Sequence, residues 1–161
     1  MLLVYIKKFS APFIILLILT SCLEDNDDGV LTPDEQFEVD IAKIDQYLAV
    51  NNITAQTEIN GVRYVVHNPG DSISVEISNT IKVAYEGRLF DGTIFDSSPE
   101  ATFPLGNLIA GWQIGVPLIK EGGSITLYIP SAYAYGTRGT ANGSIPPNAN
   151  VIFDIELLEV L

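Results

Sequence analysis

Apolar positions along the chain keep a helical period first and a strand period later. From Pro33 to about Asn51, residues Phe37, Ile41, Ile44 and Leu48 recur at i, i+4, i+7 and i+11, which predicts one amphipathic helix. Thr32 is a suitable N-cap, Pro33 suits the first helical position, and Asp34 and Glu35 are acids in the first turn. From Gly61 the period shortens to two. Val62 to His67 reads as a strand ended by the turn cluster Asn68-Pro-Gly-Asp71. Ile81 to Tyr85 is a second strand, continued by Gly87 to Phe90 up to an Asp91-Gly92 turn. Leu108 to Ile119 returns to helix-like spacing. Ser124 to Ile129 places Ile125, Leu127 and Ile129 on one face, and Val151 to Leu158 does the same with Val151, Phe153, Ile155 and Leu157. A short helix lying across an antiparallel sheet would cover these faces, so the pattern predicts an α+β fold.

The front of the chain carries a different signal. Lys7 and Lys8 precede an apolar run from Phe9 to Leu19, interrupted by Ser10 and Pro12. That run is shorter than the ~20 apolar residues a bilayer-spanning helix needs, and it fits the h-region of a secretory signal. Leu19-Thr20-Ser21-Cys22 resembles a bacterial lipobox, in which the cysteine is acylated. Cys22 is the single cysteine, so it has no partner for an internal disulfide and lipidation would give it a use. Residues 1–21 are therefore expected to be a lipoprotein signal peptide and residues 22–33 an acidic tether. Within that tether, residues 24–35 also match much of a calcium-loop pattern, with Gly29 at the sixth position and Glu35 at the twelfth. A third reading of the acidic cluster is a surface-export signal like those of Bacteroidetes-type lipoproteins.

Charge narrows the partners. The chain carries 8 basic and 20 acidic residues, a net charge of −12. Phosphate binding needs clustered Lys and Arg, so nucleic acid is not an expected partner, and anionic lipid would repel the chain. Membrane attachment would have to come from the lipid on Cys22. The one histidine, His67, sits at a strand end, and there is no second histidine for a zinc site or an acyl-transfer triad. Lys120-Glu-Gly-Gly123 lacks the spacing of a phosphate loop. Neither a metal nor an organic cofactor is expected. What remains is a set of aromatic residues beside turns: Tyr85, Phe95, Phe103, Trp112, Tyr133, Tyr135 and Phe153.

Five segments give those aromatics a context: Asp91-Gly-Thr-Ile-Phe-Asp-Ser-Ser98, Gly111-Trp112, Tyr133-Ala-Tyr-Gly136, Ile145-Pro-Pro147 and Val151-Ile-Phe-Asp-Ile-Glu-Leu-Leu158. In this order and at these separations they resemble the FKBP-type peptidyl-prolyl cis-trans isomerases, from about Gly61 to Leu161. The resemblance implies a curved antiparallel sheet wrapped around a short helix, here with an extra N-terminal amphipathic helix. It implies a proline pocket with Trp112 as floor and Tyr85, Phe95 and Phe153 as walls. The backbone N–H of Ile109 and the hydroxyl of Tyr135 would donate to substrate carbonyls, and Asp96 would be a polar group at the rim. Phe103, Leu108 and Ile145 would complete the substrate-binding surface, and Tyr133 would be structural.

The chain departs from the family pattern in three places. Ala101 stands where many members have an aromatic residue. The stretch between Asp96 and Leu105 is short and lacks the basic residue that often pairs with the pocket aspartate. The loop from Gly136 to Ile145 is polar and slightly longer. These bear on macrolide affinity and sequence preference more than on isomerisation.

The expected organisation is thus a signal peptide (1–21), a tether (22–33), an N-terminal helical segment (34–57) and an isomerase domain (58–161). The expected protein is a monomeric prolyl isomerase that assists folding of exported X–Pro-containing polypeptides. Macrolides are a further ligand class. Its expected place is the bacterial cell envelope, lipid-anchored at the outer membrane on the periplasmic side or at the cell surface. The alternative is a peptide-binding or holdase chaperone module that uses the same pocket without catalysis.

Overall fold

A computed structural model describes residues 30–58 and 60–161. The segment expected to be a signal peptide, Cys22 and most of the acidic tether lie outside the described residues. Residues 31–161 form one compact unit.

Helix α1 runs from Pro33 to Val50. Its start is set by a reciprocal cap: the Glu35 backbone N–H donates to Thr32 Oγ1 at 3.3 Å, and the Thr32 N–H donates to Glu35 Oε2 at 2.8 Å. This satisfies two donors that every helix start otherwise leaves open. Glu35, the twelfth residue of the calcium-loop pattern, thus spends its carboxylate on the cap. The helix ends at Asn51, whose side chain donates to the Tyr47 carbonyl at 2.8 Å.

Among the described residues, six strands form one sheet in the order β1-β2-β5-β6-β3-β4, and every neighbouring pair is antiparallel. The strands are β1 (Gln56–Thr57), β2 (Arg63–Asn68), β3 (Thr80–Leu89), β4 (Ile94–Pro104), β5 (Ser124–Ile129) and β6 (Val151–Val160). The two runs read as Ile81–Tyr85 and Gly87–Phe90 are one strand, bent by register shifts near Tyr85 and Gly87. β4 is an element that periodicity does not announce. Asp96-Ser-Ser-Pro-Glu100 is polar and contains Pro99, but β4 is an edge strand, where proline is tolerated. The helix-like stretch Leu108 to Ile119 resolves into helix α2 (Ala110–Gly115), flanked by 3-10 turns at Leu105–Asn107 and Val116–Leu118.

Strand alternation sends the two helices to opposite faces of the sheet. Ile125, Leu127, Ile129, Val151, Phe153, Ile155 and Leu157 share the main core with Trp112 and Val116. The residues between them, Tyr128 and Ile152, point the other way and pack with Ile44 and Leu48 of α1. α2 lies close on the sheet because it presents glycines there. A Cβ on Gly111 would stand 2.5 Å from Ile129, and one on Gly115 would stand 2.4 Å from Leu127. Any larger residue would push the helix, and Trp112 with it, off the strands.

Candidate active site

Trp112 is anchored between those two glycines and is almost fully buried, with its ring turned to the sheet face. β6 supplies Phe153, whose ring meets the Trp112 ring edge-on at 5.2 Å. β3 supplies Tyr85, edge-on to Trp112 at 5.4 Å. The three rings fit because Gly87 faces Phe153 across the β3–β6 ladder, and a Cβ there would lie 2.6 Å from both Phe153 and Phe95. β4 contributes Asp96 and Phe103. The turn before α2 contributes Leu108 and Ile109, and the segment after β5 contributes Tyr135. Together Tyr85, Asp96, Phe103, Leu108, Ile109, Trp112, Tyr135 and Phe153 line one cavity of about 200 Å3.

Eight of the ten residues expected at a proline pocket therefore meet around one space. The other two stand behind it. Phe95 packs edge-on against Phe153 at 5.5 Å and Tyr135 at 6.1 Å, buttressing the wall. Ile145 is buried in the main core, outside the lining; its N–H donates to Thr140 Oγ1 at 2.9 Å and closes the turn that follows Gly139. Tyr133 turns away from the cavity and meets Phe37 of α1 at 6.1 Å. Ile109 is the N-cap of α2, and its carbonyl accepts the Trp112 N–H at 3.0 Å.

The electrostatics come from two tyrosines and one carboxylate. The Tyr85 hydroxyl donates to Asp96 Oδ2 at 2.9 Å. The sequence offers no basic partner for Asp96, and this hydroxyl supplies the orientation instead. The bond is not legible in the sequence, because it depends on the β3–β4 register, which pairs Gly87 with Asp96 and Tyr85 with Ser98. Burial, then the hydrogen bond and charge of Asp96, push the Tyr85 hydroxyl up to about 12. Tyr135 is raised as well, by burial first and by the Asp96 charge second. Both stay neutral donors at ordinary pH. Tyr135 takes no hydrogen-bond partner among the described residues, so its hydroxyl is available to a ligand.

A larger, shallow groove of about 500 Å3 lies across the sheet and is lined by His67, Glu86, Asp154 and Glu156 among others. Two of its polar groups are tied to neighbours beside it: His67 Nε2 bonds Thr126 Oγ1 at 2.8 Å, Thr126 donates to Asp154 at 2.5 Å, and Arg88 pairs with Asp154. A shallow, polar, open surface is a poor place to favour a less polar state, and the aromatic cavity is the candidate site.

Comparison with known proteins agrees with that geometry. Residues 71–158 match the sequence profile described as FKBP-type peptidyl-prolyl cis-trans isomerase. A protein of Neisseria meningitidis named probable FKBP-type peptidyl-prolyl cis-trans isomerase FkpA is 43% identical over 109 residues, 65% of this chain and 40% of that one. The chain thus spans less than half the length of that relative. Among solved structures, FkpA from Escherichia coli superposes with a TM-score of 0.68 at 35% identity, covering 79% of this chain and 62% of that one. A peptidyl-prolyl cis-trans isomerase from Pseudomonas syringae superposes with a TM-score of 0.67 at 29% identity, covering 82% and 98%. An antiparallel sheet with a short helix across it, an aromatic cavity between them, and a profile match over most of both place this chain in the FKBP-type peptidyl-prolyl cis-trans isomerase family.

Proposed function

We propose that this protein accelerates cis–trans isomerisation of X–Pro bonds in unfolded or folding polypeptides. The observation that carries the reading is the cavity walled by Tyr85, Trp112, Phe153 and Tyr135, in the segment that matches the family. Its volume of about 200 Å3 suits a proline ring and falls below the ~300–1,000 Å3 of sites for drug-sized ligands. A macrolide would have to lie largely outside the cavity.

The chemistry needs no nucleophile. An X–Pro bond rotates over a barrier of ~18–20 kcal/mol because amide resonance gives it double-bond character, and uncatalysed exchange takes tens to hundreds of seconds. In the twisted state the nitrogen lone pair leaves conjugation and the carbonyl oxygen loses negative charge. That oxygen then needs water less, so a dry aromatic cavity favours the twisted amide over the planar one. Only such differential stabilisation raises the rate, at ~1.4 kcal/mol for each tenfold. In this reading Trp112 is the floor under the proline ring, and Phe153 and Tyr85 exclude water. The Ile109 N–H and the Tyr135 hydroxyl hold the flanking carbonyls while the prolyl bond turns. Asp96, oriented by Tyr85, faces the rotating amide.

The reading extends to place. Lys7, Lys8, the apolar run and Leu19-Thr-Ser-Cys22 support export and acylation at Cys22, which would anchor the domain in the cell envelope through the acidic tether. Two acyl chains give stable attachment where one is marginal. Cys22→Ser should therefore leave the protein unprocessed or soluble. Its recovery in the membrane fraction after normal cleavage would refute the anchor. Protease treatment of intact cells separates a surface location from a periplasmic one.

The activity is tested by exchange NMR on a short X–Pro peptide with the purified protein. Enhanced exchange at catalytic protein concentration is expected. Folded protein that binds the peptide and leaves its exchange rate unchanged would reduce the pocket to a binding or holdase module.

A further inference from the structure

Helix α1 reaches the segment that carries Tyr135 through a fully buried carboxylate. Asp40 has no exposed surface. Its Oδ2 accepts the Ser131 N–H at 2.9 Å and the Ser131 hydroxyl at 2.5 Å, and its Oδ1 accepts Gln36 Nε2 at 2.7 Å. The Asp40 carbonyl accepts Asn150 Nδ2 at 2.9 Å, while Asn150 Oδ1 shares the Ser131 N–H at 3.1 Å. Three residues earlier on α1, Phe37 meets the Tyr133 ring. The helix thus grips both ends of the 3-10 turn Ser131–Tyr133, two residues ahead of Tyr135.

A buried carboxylate is an expensive way to attach a helix, since desolvation opposes it and an apolar side chain of similar size would pack as well. What it adds is direction. Two donors on one serine meet one acceptor oxygen, which fixes Ser131 in place where apolar packing would tolerate sliding. We propose that Asp40 is a positioning residue for the isomerase site, acting through Ser131 to hold the Tyr135 hydroxyl in the cavity, so that the N-terminal helix is part of the active unit. This rests on the isomerase reading of the cavity. No residue of α1 lines that cavity, and α1 packs on the opposite sheet face, so the effect on Tyr135 has to travel through the turn.

The test compares wild type, Asp40→Asn, Tyr135→Phe and the double variant in the full chain. It uses peptide exchange NMR together with the ring signals of isotopically labelled Tyr135. Asparagine keeps the size of aspartate but turns an amide donor toward existing donors. The expected loss in kcat/KM for Asp40→Asn is about three- to tenfold. It is bounded by what one hydrogen bond to substrate is worth. In the Tyr135→Phe background Asp40→Asn should cost nothing further, the signature of two residues acting through one contact. The Tyr135 ring signal should shift in Asp40→Asn. If Asp40→Asn fails to fold, Ser131→Ala carries the same comparison, because it removes the 2.5 Å bond and leaves the Asn150 contact to the Ser131 N–H. Full activity with an unmoved Tyr135 signal, or the same fold-loss in both backgrounds, would overturn the proposal. Wild type that gives no exchange enhancement sinks the isomerase reading instead. The Tyr135 signal then decides alone: a shift upholds the coupling and its absence rejects it.

Discussion

Two tyrosines of the cavity differ in what their hydroxyls meet, and that difference divides their work. Tyr85 donates to Asp96, while Tyr135 keeps its donor for a ligand. Tyr135→Phe removes one hydrogen bond worth ~0.5–1.5 kcal/mol, so kcat/KM should fall about three- to tenfold with folding unchanged by circular dichroism. Asp96→Asn and Tyr85→Phe act on the rim pair and should each cost less than about tenfold. If both leave activity intact along with Tyr135→Phe, the substrate lies elsewhere. Phe153→Ala is a poor probe of chemistry, because it removes a pocket wall and a core side chain together, at ~3–5 kcal/mol of stability. Trp112, Tyr135 and Phe153 were legible in the sequence because each sits inside a short local motif. The Tyr85–Asp96 bond was not, because a bulged strand register decides it.

At the scale of elements, α1 shows how much a start signal and an apolar stripe can say. Thr32, Pro33 and Glu35 mark the helix start in sequence, and the structure joins Thr32 and Glu35 in a capping box. The stripe is legible too, but its destination is not. Ile44 is fully buried against Tyr128 and Ile152, on the sheet face away from α2. Ile44→Ala should cost ~2–5 kcal/mol, and denaturation should remain one transition, since α1 and the sheet share a buried cluster. A separate early transition for α1, seen by circular dichroism against Trp112 fluorescence, would show the helix to be a loosely held appendage. Asp40 falls on the same buried side as Ile44. Helical periodicity treats it as a polar interruption, and only the position of Ser131 explains it. β4 is the opposite case. Its polar, proline-containing sequence lacks alternation because an edge strand need bury little, so period-two reading passes over it.

For the whole molecule, ionisation sets a limit at high pH. Burial raises Tyr85, Tyr128 and Tyr135 above the ordinary phenol value, and the hydrogen bond and charge of Glu159 raise Lys82. A group whose folded value is raised holds its proton in the native state after the unfolded chain has released it. Its stabilisation is complete below the unfolded value and disappears as pH climbs through the folded one. For Tyr85 that window runs from about 10 to about 12. The urea midpoint should therefore fall as pH is raised from about 10 to about 12, with tyrosinate absorbance appearing late in the native protein. A midpoint that stays level across that range would mean that these hydroxyls are wetter than their packing implies.

Features that depend on near neighbours can be read along the chain. The α1 cap, the alternation of β2, β3, β5 and β6, the turn at Asp91-Gly92, and the short motifs holding Trp112, Tyr135 and Phe153 all follow from residues a few positions apart. These interactions are the same in any context, so periodicity and spacing report them. Which distant groups share a space depends on how the whole chain folds. The fold joins Tyr85 to Asp96, sets Gly87 under Phe95 and Phe153, places α1 and α2 on opposite faces, and puts Asp40 against Ser131, 91 residues away in sequence. Each of those contacts depends on strand order and register, and these settle only when the six strands assemble with a helix packed on each face.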